Sequence, residues 1–340
     1  MCAAPLHDKL TADSPPADPG AEFRALRSGC GLYDLGSRVK IAASGKDRTR
    51  WLNGMITNNV RDLPAGRGSY NFLLTPQGHI QGDLYAYNRG EHFLLDFEGA
   101  QAEHLLQLLR KYIIMDKVEL ADVSDQLTAV AVQGPKSADV LHAAGFDVPQ
   151  LEPLQVQDLA WNQAGVSLVR MAAEVADGYE IWLSPANAPT LRDALLAAGA
   201  KPVGGEALEM YRIAAGVPRY GQDIRDRDLP QETGQLRALN FTKGCYIGQE
   251  IVERIRSRGA VHRSLTGFVV EGKPPAPGAK VLADGKEAGE ITSVAVVPTA
   301  TGRKTVALGY LRGEAGGPGT AVEIDGVRAV VAKLPFEEIG

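Results

Sequence analysis

The sequence predicts an α+β chain: two ferredoxin-like modules followed by a C-terminal small β-barrel. Three observations predict it. The order strand, helix, two or three strands, helix, strand runs over residues 37–123, which is the split βαβ plan. The same order recurs over residues 127–199. From Ser264 onward about six short strands are punctuated by Pro274-Pro275, Pro277-Gly278, Asp284-Gly285, Gly316-Gly317-Pro318 and Asp325-Gly326, the turn chemistry of an all-β module. A chain of 340 residues has room for three such modules.

In the first module, Val39, Ile41 and Ala43 alternate with polar neighbours and mark a strand over 37–43. Ser44-Gly45 precedes a short helix over 46–56 that carries Trp51, Leu52, Met55 and Ile56 on one side. Strands over 68–75 and 79–87 flank the turn Pro76-Gln77-Gly78, and Asn88-Arg89-Gly90 turns into a strand over 91–97. Ala102, Leu105, Leu106, Leu109, Tyr112 and Ile113 recur at 3–4 spacing and predict a helix over 100–114. A strand over 117–123 closes the module. In the second, a strand over 127–132 leads to a helix opened by Gly134-Pro135 and stopped at Gly145. Strands over 154–160, 166–171 and 178–184 follow, then a helix over 189–198 ended by Gly199. A further helix spans 206–215, before an irregular, charge-dense stretch over 223–235. The expected divisions are a flexible tail over 1–20, a first module over 21–125 completed by 205–262, a second over 126–204, and the barrel over 263–340.

Net charge is −5 and the isoelectric point about 5.8, so bulk charge gives no general attraction to nucleic acid or anionic lipid. No apolar run approaches the roughly 18 residues of a membrane span. The start carries Asp8, Asp13 and Asp18 with four prolines, unlike a secretory signal. Cys2, Cys30 and Cys245 are widely spaced, which suits a reducing cytosol and excludes a disulfide framework or a self-contained zinc site. A cytoplasmic monomer without membrane contact is expected. Gly29-Cys30-Gly31 has no preceding strand for a dinucleotide fingerprint, Ser44-Gly45-Lys46 lacks the glycine of a P-loop, and no Gly-x-Ser-x-Gly elbow or His-Glu-x-x-His spacing occurs.

The most informative segment is Lys243-Gly244-Cys245-Tyr246-Ile247-Gly248-Gln249-Glu250. Its two glycines permit a tight turn, and Ile251, Val252 and Ile255 at helical spacing place a helix directly after it. A thiol beside Lys243 and ahead of a helix N-terminus is expected to favour the thiolate, a nucleophile or soft metal ligand; the alternative is a small buried apolar group. Arg254, Arg256, Arg258, His262 and Arg263 follow without an acidic residue between them. They read either as an anion-binding rim or as a solvated helix end. Asp83 shares an alternating face with Gln81, Tyr85 and Tyr87, where a carboxylate among aromatics could hold a protonated ring nitrogen or act as a base; the alternative is a solvent-facing carboxylate. Tyr70 and Asn71 on the partner strand could add stacking or hydrogen bonds. Arg212, Gln231 and Glu232 carry no signature of their own.

The octapeptide resembles the signature of the YgfZ group of folate-binding proteins, bacterial relatives of a mitochondrial iron–sulfur maturation factor. Supporting matches are Gly31-Leu32-Tyr33-Asp34-Leu35, the segment from Trp51 to Val60, Gly134-Pro135 and Leu334-Pro335-Phe336. The group is similar in fold to the glycine cleavage T-protein, an aminomethyltransferase, which implies a cloverleaf of three modules around a central folate channel. The sequence departs from the T-protein pattern at three places. Only Asp83 stands where paired aspartates precede Leu, Ala176 replaces the acid before Asp177-Gly178-Tyr179-Glu180 (with Glu174 two residues away), and Arg212-Ile213-Ala214-Ala215-Gly216 lacks a carboxylate.

The resemblance implies a tetrahydrofolate-binding accessory protein for iron–sulfur cluster assembly or repair. Its partners would be assembly proteins or client iron–sulfur enzymes, with a link to tRNA modification but no direct nucleic-acid binding expected. Cys245, Lys243 and Asp83 are the expected reactive residues. Tyr70, Asn71, Asp83, Arg212, Gln231, Glu232, Tyr246, Gln249, Glu250, Arg254 and Arg256 are those expected around the folate, with the arginines on its glutamate carboxylates. No resident metal is expected; Cys245 would be a transient cluster ligand completed by a partner. A folate-dependent aminomethyltransferase with Asp83 as acid/base is the alternative, and a scaffold that binds no folate a third.

Overall fold

The computed structural model describes residues 18–172, 177–259 and 261–337. They fall into two compact units. One holds the described residues up to Leu73 together with Gly82–Gly205 and Thr242–Tyr246; the other holds Leu74–Gln81, Glu206–Phe241 and the residues from Ile247 onward.

The first unit opens with α1 (Pro19–Ser28), whose N-terminus is capped by the Asp18 side chain accepting from the amides of Gly20 and Ala21. The expected tail thus ends earlier than residue 20, because Asp18-Pro19 is a capping signal; residues 1–17 lie outside the described residues. Next comes β1 (Gly31–Asp34). The first module then runs β2 (Arg38–Ser44), α2 (Arg48–Met55), β3 (Arg67–Leu74), β4 (Ile80–Asn88), β5 (Phe93–Glu98), α3 (Ala102–Lys111) and β6 (Glu119–Asp122). The second runs β7 (Thr128–Gln133), α4 (Ser137–Ala143), β8 (Val156–Trp161), β9 (Ala164–Arg170), β10 (Gly178–Leu183), α5 (Ala188–Ala197) and β11 (Lys201–Pro202). The sheets are ordered β3-β4-β5-β2-β6 and β11-β1-β7-β10-β9-β8. The two orders are the same plan, except that β1 is inserted between the first and last strands of the second sheet. Residues 31–34 therefore pair with the second module, antiparallel to β7 and parallel to β11, although their place in the chain assigned them to the first.

The helix expected over 100–114 stops at Lys111. Its apolar period continues into Ile114 and Met115, yet these are 81% and 91% exposed. Contacts from Asp47 and Arg50, at the start of α2, explain the stop. The Lys117 amide donates to Asp47 Oδ2 at 2.9 Å, and Arg50 reaches Asp116 at 2.5 Å, so the chain is drawn out of the helix.

Between the two sheets, Tyr87, Leu94, Ala129, Val156, Val169 and Trp182 form a shared core, with Tyr87 edge-on to Trp182 at 4.8 Å. Fully buried within the unit, Lys40 pairs with Asp96 at 3.2 Å and lies 4.8 Å from the Trp182 ring centre. Arg38 donates to Asp96 at 2.9 Å and to Glu98 at 2.9 Å. Burial opposes charge on Asp96, but Arg38 and Lys40 outweigh it and hold its carboxyl below the ordinary range. Glu180 accepts from Trp182 Nε1 at 2.9 Å, and burial raises its pKa, with Asp96 adding to the effect.

The second unit contains α6 (Gly205–Ala214) from Glu206 on, α7 (Gln249–Arg258) and six strands. These are β12 (Arg263–Val270), β13 (Lys280–Ala283), β14 (Lys286–Thr299), β15 (Gly302–Arg312), β16 (Ala321–Ile324) and β17 (Val327–Ala332). They close into a barrel in the order β12-β15-β14-β13-β16-β17, filled by Phe268, Val281, Ile291, Ala307, Ile324 and Ala329. Asp284-Gly285 and Asp325-Gly326 have φ of 49° and 73°, and 51° and 76°, as the predicted hairpin turns require. Two strands, β14 and β15, are longer than the short strands expected. Among the described residues no helix is long and apolar enough to cross a membrane.

Replacing Asp96 with Ala leaves the buried Lys40 ammonium without its carboxylate and Arg38 with Glu98 as its remaining one. Asp96→Ala is expected to cost about 3–5 kcal/mol of unfolding free energy in urea titration.

Candidate functional site

Asp83 stands on β4 opposite Tyr70 of β3 in the first unit. The Tyr70 hydroxyl donates to Asp83 Oδ2 at 2.6 Å. Gln101 Nε2 donates to Oδ1 at 2.7 Å, and its Oε1 accepts from the Asp83 amide at 3.1 Å. Both carboxylate oxygens are therefore oriented by a neutral donor. Tyr85 lies beside this pair, its ring centre 5.1 Å from that of Tyr70, with the Arg38 guanidinium 5.6 Å from the Tyr85 ring centre. Burial raises the Asp83 pKa above the ordinary carboxylate range, against the opposing hydrogen bonds and the charge of Arg38. Such a carboxyl holds its proton more tightly than an exposed aspartate does.

Gln101 had no signature in the sequence. It lies in the single 3-10 turn Gly99–Gln101 that leads into α3. Gly82 carries the only trace of it. A Cβ there would lie 2.5 Å from Leu105 Cδ2 and 2.9 Å from Gln101 Oε1, so a glycine inside a strand signals the close approach of the helix.

The start of the octapeptide belongs to the same unit. Lys243 is buried, and its Nζ donates to the carbonyls of Asn53, Ile56 and Asn58 at 2.7, 2.8 and 2.5 Å. Asn58 in turn donates from its amide to Asn71 Oδ1 at 3.1 Å and from Nδ2 to the Tyr70 carbonyl at 3.3 Å. Burial lowers the Lys243 pKa to about 7, with Arg61 contributing. The expected role of Lys243, a cation favouring the Cys245 thiolate, is thereby corrected: its ammonium is committed to backbone carbonyls and anchors the loop. Asn71 is also corrected. It is fully buried, and its Nδ2 donates to Ser69, so its side chain shapes the strand instead of facing a ligand. Tyr246 is buried with Lys243 Nζ 5.0 Å from its ring centre, whereas Cys245 is exposed. The buried apolar reading of Cys245 is thus excluded; Cys30 is the buried thiol, pushed up to about 11 by desolvation.

The remaining expected residues lie in the second unit. Gly248 caps α7 with φ 83°, and a Cβ on it would meet the Thr75 carbonyl at 2.6 Å. Gly244 needs no such freedom, since a Cβ there meets nothing within 4 Å. Gln249 and Glu250 form the first turn of α7, with Glu250 exposed. Arg212 is corrected as a ligand for folate carboxylates. Its guanidinium donates to Glu209 at 2.6 Å, Asp223 at 2.7 Å and Ser293 at 2.7 Å, which fills its fork within the unit. Glu232 is corrected likewise: it accepts from the Leu229 amide at 3.1 Å and pairs with Arg263 at 3.2 Å. Gln231 Nε2 donates to the Val252 carbonyl at 2.8 Å. The basic rim is only partly available. Arg263 also pairs with Asp228 at 2.6 Å, and Arg256 lies over Phe241 at 4.8 Å, while Arg254 and His262 are exposed. The side chain of Arg258, together with Glu174 and Ala176, lies outside the described residues. Among the described residues no group of three or more His, Cys, Asp or Glu is placed to hold a metal ion.

Two variants test this geometry. The native state holds the Asp83 proton to higher pH than the unfolded chain does, so Asp83 costs stability as pH rises above its ordinary pKa of 3.8. Asp83→Asn should raise the urea midpoint at neutral pH and flatten that dependence. Lys243→Met removes the donor to three carbonyls and should cost about 1–3 kcal/mol. Lys243 also loses its proton near pH 7 when folded but only near 10.5 unfolded. Wild-type stability should accordingly gain a rising component between those pH values that the Met variant lacks.

The chain was compared with known proteins. Residues 16–243 match the GCVT N-terminal domain, and residues 263–337 match the glycine cleavage T-protein C-terminal barrel domain. An aminomethyltransferase of Rubrobacter xylanophilus is 32% identical over 93% of this chain and 85% of its own. One from Bacillus subtilis is 30% identical over 93% and 90%. The crystal structure of glycine cleavage system aminomethyltransferase T from Bartonella henselae superposes with a TM-score of 0.84 at 25% identity, covering 95% of this chain and 91% of that one. Sequence match, module order and closed barrel agree: the chain belongs to the glycine cleavage T-protein family.

Proposed function

We propose that this protein binds tetrahydrofolate through the Asp83 site of its first unit and serves the assembly or repair of iron–sulfur enzymes, with Cys245 as the reacting thiol. The observation that carries the reading is the exposed thiol between a buried, three-fold anchored Lys243 and a buried Tyr246. Such a thiol can reach a partner's cluster without disturbing the core, and as one ligand it needs a partner to supply the others. The KGCYIGQE segment, which resembles the YgfZ signature, supports the same reading.

The folate fits the residues present at its pterin end. A pterin presents an amide and an amino group that pair with a carboxylate, and Asp83 offers one oriented by Tyr70 and Gln101, with the Tyr85 ring beside it. When bound, tetrahydrofolate would supply a carrier for a one-carbon unit. Asp83 would orient the ring, and burial, which raises its pKa, makes it hold a proton more readily than an exposed carboxyl does. Arg212 is left out of this assignment, its fork being filled by Glu209, Asp223 and Ser293. A cytoplasmic location accords with the acidic composition.

Aminomethyl transfer is the second reading, favoured by the names of the relatives and by the raised pKa of Asp83 as a general acid. The relatives' names weigh more for this reading than for the first. The two differ in which residue is indispensable.

Titration with tetrahydrofolate should show saturable binding that Asp83→Asn weakens by about 10–100-fold, the range of a lost charge-assisted hydrogen bond. Cys245→Ala should leave that binding and the urea midpoint unchanged while abolishing support of iron–sulfur enzymes in a strain lacking the wild-type chain. Methylenetetrahydrofolate formed from an aminomethyl donor, lost in Asp83→Asn and retained in Cys245→Ala, would instead establish the second reading.

A further inference from the structure

Residues 45–50 and 110–119, all in the first unit, meet at one surface. Ile114 and Met115 project from it, the two most exposed of the large hydrophobic residues described, at 81% and 91%. The two segments carry Lys46, Arg48, Arg50, Arg110, Lys111 and Lys117, against Asp47, Asp116 and Glu119. The two segments thus carry a local excess of cations in a chain whose net charge is −5.

The tip is built to hold its shape. The Asp47 amide donates to the Lys117 carbonyl at 3.3 Å and the Lys117 amide returns to Asp47 Oδ2 at 2.9 Å. Arg50 bonds Asp116 at 2.5 Å, and Arg48 donates to the carbonyls of Gly45 at 3.0 Å and Gly90 at 2.8 Å. Gly45, with φ 99°, allows the approach, since a Cβ there would lie 2.1 Å from the Lys117 carbonyl oxygen. Two loops distant in sequence are locked together, so the apolar pair is presented with little ordering left to occur on contact.

We propose that this tip is a docking surface for an acidic protein partner, with Ile114 and Met115 entering an apolar pocket and the surrounding cations facing carboxylates. Charge selects the partner: the local excess of cations steers the tip toward an acidic surface. Scale favours a protein over a membrane. Two side chains bury too little apolar area for stable insertion, which needs more than a single acyl chain can give, whereas a shaped pocket gains from a rigid pair and from methionine's adaptability. The surface is independent of the folate reading, because none of its residues belongs to the Asp83 or Cys245 sites.

The test places a photoreactive residue at Glu119, on the margin of the tip, and irradiates the full-length chain in extract of its own cells. Each captured protein is identified, purified and titrated with wild-type chain and with the Ile114→Ser/Met115→Ser and Lys46→Glu/Lys117→Glu double variants. The expected result is an acidic protein whose affinity falls by about tenfold or more in both variants and weakens with added salt, while urea midpoints and tetrahydrofolate titrations stay at wild-type values. Captured proteins that bind all three forms equally would overturn the proposal. So would vesicles of phosphatidylcholine and phosphatidylserine that bind the wild-type chain and lose it in the serine variant, or self-association of the chain that the serine variant abolishes.

Discussion

The ammonium of Lys243 is the contact on which the candidate site depends. It draws three carbonyls from the segment between Asn53 and Asn58 onto one buried charge, across more than 180 residues of chain. The same segment, through Asn58, holds the backbone of Tyr70 and the side chain of Asn71. A single cation therefore ties the start of the octapeptide to β3, the strand whose Tyr70 bonds Asp83. Burying an ammonium is costly, and the lowered pKa of about 7 is the measure of that cost. A hydrophobic residue would avoid that cost but leave the three carbonyls without their donor, so the lysine is what fixes the course of the loop.

Asp83 and Asp96 show how one unit gives two aspartates opposite properties. Asp96 is fully buried between Arg38 and Lys40, and those cations hold it ionised. Asp83 faces only neutral donors at bonding distance, Tyr70 and Gln101, and burial pushes its pKa up. Arg38 takes part in both, bonded to Asp96 and acting on Asp83 only at longer range. Structural ion pairing thus keeps the strongest cations away from the carboxyl that remains available to exchange protons.

Most of the architecture was legible in the sequence because it is written locally. Period and turn chemistry gave the two repeated modules and the barrel, and the Asp-Gly hairpins took the backbone angles their residues demand. What escaped was fixed by distant contacts. The capture of Asp116 and Lys117 by residues 47–50 ended α3 before its apolar period did, and β1 left its neighbours in sequence to pair with β7. In the candidate site, Asp83 stands against Tyr70 of the partner strand, as strand alternation suggests, and Cys245 is exposed. Gln101 was not legible, since nothing in a 3-10 turn shows that it reaches a strand 18 residues earlier. Arg212 and Glu232, which carry no signature of their own, entered through the family resemblance, and only the fold reveals that Asp223 and Arg263 already pair with them.

These contacts also explain why the thiol can be separated from the fold. Gly244 and Cys245 are exposed, while Lys243 and Tyr246 on either side are buried. The shoulders of the loop fix its course, so Cys245 contributes almost nothing to packing and its position is nonetheless defined. A buried cysteine would have its reactivity tied to its packing, as Cys30 does, where desolvation holds the thiol protonated. At position 245 the demands are divided: lysine and tyrosine carry the structure, and the sulfur is left exposed. The same division governs the unit as a whole, in which buried ion pairs set the frame and the groups with spare chemistry are those the frame does not use.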